Sequence, residues 1–204
     1  MAITYQSLYR ARTFKSVDDL RKVSDSSVLD MNTISEIKDY FQKYDIEVAG
    51  FDKQDVDTVK MSLSGADDAV STLQGAENRI SKIQYNPNLK VMGKMDSSGI
   101  MQIGKQGLKD YGTGVHESAH AFDFYKSGGS STSYSEKIVE QARKNLKLRK
   151  NSKKYKDLSF QITGNVGDSQ KPYEVFAYSI ETHMSGIKND FADEIFRLAT
   201  EEKL

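Results

Sequence analysis

Two of the chain's three histidines stand four residues apart, in the string His116-Glu117-Ser118-Ala119-His120. An α-helix gives that spacing a geometric meaning, because residues four apart rise from one face about one turn from each other. Val115, Ala119 and Phe122 fall at i, i+4 and i+7 and give the same helix an apolar side, so one flank is predicted to meet a core while the histidine flank lines a cleft. The helical pattern follows Gly112-Thr113-Gly114, runs through Tyr125 and stops at the flexible run Gly128-Gly129-Ser130-Ser131.

The rest of the chain has to build the other walls. At 204 residues with 37% hydrophobic side chains it is long enough for one core and too apolar for a disordered protein. Twenty-nine basic residues balance 29 acidic ones, which disfavours nucleic acid or an anionic membrane as a whole-surface partner. With no cysteine, a bound metal ion would have to be held by His, Asp or Glu. No run approaches the ~20 apolar residues of a membrane span, and the N-terminal segment lacks the apolar stretch of a signal peptide. The expected setting is the cytoplasm, or secretion if a leader has been removed.

The pattern predicts an α+β fold: helices, then a small, mostly antiparallel sheet, then the histidine helix and a helical C-terminal part. Residues 1–30 read as a loosely packed N-terminal arm with a weak helical pattern from Val17 to Val23, and residues 31–204 as the domain. Thr33 and Glu36 fit a capping box before Ile34, Ile37, Phe41 and Tyr44. Ile46 to Phe51 reads as a strand. Val56, Val59, Leu63, Ala66, Val70 and Leu73 then share one face of a helix in which Gly65 is a weak point. Ile80 to Tyr85, Leu89 to Met92 and Ile100 to Ile103 read as three strands of a meander, broken at Asn86-Pro87-Asn88 and at Asp96 to Gly99. Later helices fit Ser135 to Lys150, Pro172 to Met184 and Asp190 to Lys203.

The two histidines can converge on one ion at the ~2.0–2.1 Å of a Zn–N bond. Glu117, placed between them, would act as general base, taking a proton from the attacking water and delivering it to the leaving amine of a peptide. A catalytic zinc requires a third protein ligand. Glu174 is the candidate, a carboxylate in the first turn of the otherwise apolar helix Pro172-Tyr173-Glu174-Val175-Phe176-Ala177. His183 competes for the same role.

The pattern His116-Glu117-x-x-His120-Ala121-x-Asp123, followed by Glu174-Val175-Phe176-Ala177, resembles the gluzincin metalloproteases of the anthrax lethal factor and Pro-Pro endopeptidase group. The resemblance implies a zincin-like fold, with His116, His120 and Glu174 as zinc ligands and Glu117 as base. The motif match covers about a dozen residues, and the order of elements extends it loosely from Ile80 to Leu204. Where the family has an acid four residues after the third ligand and a tyrosine seven before it, this chain has Tyr178 and Gly167. Asp123 is on the face from which it could orient a ligand imidazole. Tyr173, Tyr178 and Tyr125 could each point a hydroxyl at a developing oxyanion.

The first expected function is therefore a zinc-dependent endopeptidase acting on a protein or peptide substrate, which Gly99 to Gly104 would bind as an edge strand over the cleft. The alternative is a catalytically inactive zincin-fold binding or structural module of phage or mobile-element type. A third reading takes the eight basic residues between Arg143 and Lys156 as a nucleic-acid patch.

Overall fold

The computed structural model describes residues 14–129 and 131–201. The fold is α+β, a small mixed sheet flanked by helices. Helix α1 (Val17–Leu20) leads to α2 (Ile34–Phe41), where the capping box forms as the sequence predicts. The Glu36 N–H donates to Thr33 Oγ1, and the Thr33 N–H donates to the Glu36 carboxylate, each at 3.2 Å.

Strand β1 (Glu47–Ala49) is followed by α3 (Val56–Thr72), capped by Asp55, whose carboxylate accepts from the Thr58 N–H at 2.9 Å. The chain then enters β2 (Lys82–Tyr85), which lies parallel to β1 with Val48 opposite Ile83. Parallel neighbours need a crossover, and α3 provides it. β2 is in turn parallel to β4 (Ile100–Ile103), and β3 (Gly93–Met95) runs antiparallel to β4 on its far side, giving the order β1-β2-β4-β3.

The sheet thus differs from the predicted, mostly antiparallel meander. Two of its three pairings are parallel, β3 begins only at Gly93, just past the predicted Leu89 to Met92, and β4 is an interior strand rather than the edge. Residues 86–92 pass around the end of β4 instead of closing a hairpin. The Asn86 N–H donates to the Ile103 carbonyl at 2.9 Å, and the Gly104 N–H to the Met92 carbonyl at 2.7 Å. That path delivers β3 to the outer side of β4.

Helix α4 (Tyr111–Lys126) carries the histidines and starts a turn earlier than predicted, because Asp110 caps it by accepting from the Thr113 N–H at 2.8 Å. It crosses α3 backbone to backbone. A Cβ on Gly65 would lie 2.1 Å from the Tyr111 carbonyl oxygen, and one on Gly114 2.0 Å from that of Ser62. The apparent weak point of α3 is what lets the two helices approach.

Helix α3 is buried on nearly all sides, well beyond its six-residue apolar face. Its remaining surface is covered by the predicted arm: α1 and the turn at Ser27–Asp30 pack on it and bury Leu20, Val28 and Leu29 completely or nearly so. From residue 14 onward the segment is therefore part of the domain, while residues 1–13 lie outside the described residues.

The C-terminal part contains α5 (Ser133–Asn145), α6 (Lys153–Thr163), α7 (Val166–Ser169), α8 (Pro172–Met184) and α9 (Asp190–Thr200). The predicted helix from Ser135 to Lys150 ends at Asn145, the chain reverses with Lys147 at φ 55°, and Ser152 caps the separate helix α6. Helix α8 packs against α4, with α5, α6 and α9 against α8. Phe122 of α4 and Phe176 of α8 lie nearly parallel at 6.4 Å, and Tyr134 meets both edge-on. This aromatic contact fixes the distance between the two helices that carry the candidate site. Among the described residues no helix is long and apolar enough to cross a membrane.

Candidate metal centre

Helices α4 and α8 bring His116, His120 and Glu174 together at the floor of a cleft of about 980 Å³. The two Nε2 atoms are 3.0 Å apart, and Glu174 Oε2 lies 3.3 Å from Nε2 of His116 and 3.7 Å from that of His120. Ligands about 2.0–2.1 Å from a tetrahedral ion are spaced about 3.3 Å from one another. The triangle of one oxygen and two nitrogens matches that spacing, and its hard-to-borderline donor set suits zinc. The side chains are only 11%, 13% and 19% exposed, in the same order, so the carboxylate and imidazoles face each other largely out of water.

The electrostatics follow from that burial. For His116, burial alone would lower the pKa, but the facing carboxylates of Glu174 and Glu181 outweigh it and raise the value to about 10. Burial would likewise raise Glu174, yet its contacts with both histidines hold it far below the usual carboxylate range. The site is a concentrated negative pocket pressed on two imidazoles, the arrangement a divalent cation would relieve.

Glu117 points from the same helix toward the sheet. It is 6% exposed, packs against Gly93 of the edge strand β3, and accepts a hydrogen bond from the Met95 N–H. Burial raises its pKa, while the charges of His116 and His120 pull the other way. Raised basicity beside a metal position is what a proton shuttle needs.

The other predicted residues separate into two groups. Tyr178 and Tyr173 line the cleft: the Tyr178 ring meets His116 edge-on at 4.3 Å, and the Tyr173 ring lies 6.0 Å from that of His120. Asp123, Tyr125 and His183 do not line the cleft. Asp123 is fully buried; its Oδ1 accepts from the Ser135 N–H at 2.9 Å and from Ser127 Oγ at 3.2 Å, which fixes the turn into α5, while the charge of His120 also acts on the carboxylate. Tyr125 packs its ring against Gly75. His183 stacks on Phe196 at 3.8 Å, pairs with Asp193 at 2.7 Å and borders a separate cavity, so it does not compete with Glu174. The basic run lies at the end of α5 and the start of α6, where Glu140 pairs with Arg143 and Lys144.

One residue the sequence reading missed enters the site. Glu181, 7% exposed, places Oε2 3.4 Å from Nδ1 of His116. A signal was present: Glu174, Tyr178 and Glu181 follow i, i+4, i+7 and therefore share one face of α8.

Comparison with protein-family models, curated proteins and solved structures found no match. The class of site is thus defined by its own geometry, a two-histidine, one-carboxylate group with an adjacent buried glutamate.

Proposed function

We propose that the chain is a zinc-dependent endopeptidase of zincin-like architecture, in which His116, His120 and Glu174 hold the ion. The observation that carries this reading is the convergence of three ligand atoms from two helices beside a further, non-ligating side chain, the carboxylate of Glu117. Zinc bound there would supply Lewis-acid polarisation of the scissile carbonyl and acidify a water. Glu117 would take the proton of the attacking water on its carboxylate and return it to the leaving nitrogen. Tyr173 and Tyr178 stand at the cleft wall, where a hydroxyl could donate to the developing oxyanion. The edge strand beside the site is β3, so an extended peptide would lie along Gly93–Met95 rather than along Gly99 to Gly104.

The test is metal content by elemental mass spectrometry, followed by peptide-library cleavage with the wild type and Glu117→Gln. About one zinc per chain in both proteins, with cleavage reduced 10²-fold or more in the variant, is the expected result. Equal cleavage by the variant would remove Glu117 from the mechanism. The second reading, an inactive module that retains the fold, is favoured by Gly167 and Tyr178 at the two positions where the family pattern has Tyr and an acid. It predicts bound zinc with no turnover of any library.

A further inference from the structure

We infer that Glu181 is a positioning residue: its carboxylate accepts the Nδ1–H of His116 and so holds that imidazole in the tautomer whose Nε2 is free to ligate. The inference rests on the metal-centre reading above and adds a residue to it.

The two nitrogens of His116 face different partners. Nε2 is turned to the ligand triangle, 3.0 Å from Nε2 of His120 and 3.3 Å from Glu174. Nδ1 is buried and has no well-aligned hydrogen-bond partner, yet Glu181 Oε2 stands 3.4 Å from it. A displacement of about 0.5 Å would bring the pair to the length of a charge-assisted hydrogen bond. Neutral imidazole carries one proton, and an acceptor at Nδ1 decides that the proton resides there. A metal-ligating histidine commonly has such a partner on its other nitrogen.

The surrounding backbone makes room for this carboxylate. Gly112 lies one turn before His116 on the same face of α4, and a Cβ there would stand 2.7 Å from Glu181 Oε1 and 3.0 Å from its Cδ. The remaining acids near α4 have other partners. Glu117 is bonded to the Met95 N–H and Asp123 to the start of α5. Tyr178, one turn before Glu181 on α8, places an aromatic ring against His116 rather than an acceptor at Nδ1. Glu181 reaches the nitrogen because it is two turns beyond Glu174 on a helix already anchored to α4.

The experiment measures zinc affinity by competition with a chromophoric chelator for the wild type, Glu181→Gln, Glu181→Ala and Glu174→Ala, with circular dichroism as a check of folding. In parallel, ¹⁵N–¹H correlation spectra read the shift and solvent exchange of the His116 Nδ1–H in the zinc-loaded wild type and Glu181 variants. Glu181→Ala should weaken zinc binding 10- to 100-fold and move the Nδ1–H resonance upfield with faster solvent exchange, because that proton loses its acceptor. Glu181→Gln, which retains a carbonyl acceptor, should stay within a few-fold of wild type and keep the wild-type Nδ1–H resonance. Unchanged affinity and an unchanged Nδ1–H resonance in a folded Glu181→Ala protein would overturn the inference, as would a Gln variant as impaired as the Ala variant. A wild type that takes up no zinc, with Glu174→Ala indistinguishable from it, would instead overturn the metal-centre reading and this inference with it.

Discussion

Gly93 of the edge strand and Glu117 of the histidine helix occupy one shared space: a Cβ on Gly93 would stand 2.7 Å from both Cγ and Oε1 of Glu117. Two residues along the strand, Met95 supplies the backbone N–H that holds the same carboxylate. The strand beside the cleft therefore also sets the position of the proposed base.

Gly93→Ala should displace Glu117 without touching the ligand triangle. The expected outcome is normal zinc content with peptide hydrolysis lowered tenfold or more, measured as kcat/KM beside metal analysis. Full activity in the alanine variant would show that the carboxylate has no fixed place.

Zinc should stabilise the fold, because the three ligands come from α4 and α8 and the triangle exists only when the two are docked. At a free concentration ~1,000 times Kd the gain is about 4 kcal/mol, which for a domain of this size corresponds to a rise in Tm of about 10 °C. Differential scanning fluorimetry with and without a chelator measures it. In Glu174→Ala the shift should largely disappear, and an equal shift there would place the bound ion elsewhere.

Asp68 makes stability depend on pH away from the metal centre. Burial first, and then the charges of Asp67 and Asp25, raise its pKa to about 6 despite the hydrogen bond from the Tyr111 hydroxyl at 3.0 Å. The folded value exceeds the unfolded value of about 3.9, so the native state binds this proton more tightly. The associated stability is fully present below pH ~4 and is lost as the pH rises through about 6. Two pH units correspond to at most ~3 kcal/mol, which partial exposure reduces to about 1–2 kcal/mol. Asp68→Asn keeps an acceptor for Tyr111 and should be more stable than wild type at pH 7 by about 1 kcal/mol. Urea melts from pH 4 to 7 should show a flatter profile for the variant, and identical profiles would exclude Asp68 as the source.

Gly114→Ala tests the close crossing of α3 and α4. An alanine at an exposed helical site would add about 1 kcal/mol of helix propensity. Here the new methyl would meet the Ser62 carbonyl oxygen at 2.0 Å and the Ala66 backbone nitrogen at 2.6 Å, neither of which can turn aside. The expected result is a loss of at least ~3 kcal/mol, or no folded protein, by denaturant titration. A stabilised variant would show that the helices cross at a greater distance.

The sequence by itself determined the features whose signals are local. The capping box at Thr33 and Glu36, the helix from Pro172 to Met184 and the shared face of His116 and His120 each depend on hydrogen bonds or side-chain directions within a few residues. Glu174 was legible for the same reason, as a carboxylate in the first turn of an apolar helix. Tertiary structure alone decided the strand order, the burial of Leu20, Val28 and Leu29 against α3, the turn of Asp123 toward Ser135 and the arrival of Glu181 at His116. A period of two reports which faces of a strand are buried but not which strand lies beside it or in which direction it runs. In the same way, a helical period places a carboxylate on a face without saying which atom that face will meet, because the meeting depends on how closely two helices can approach, here through Gly65 and Gly114.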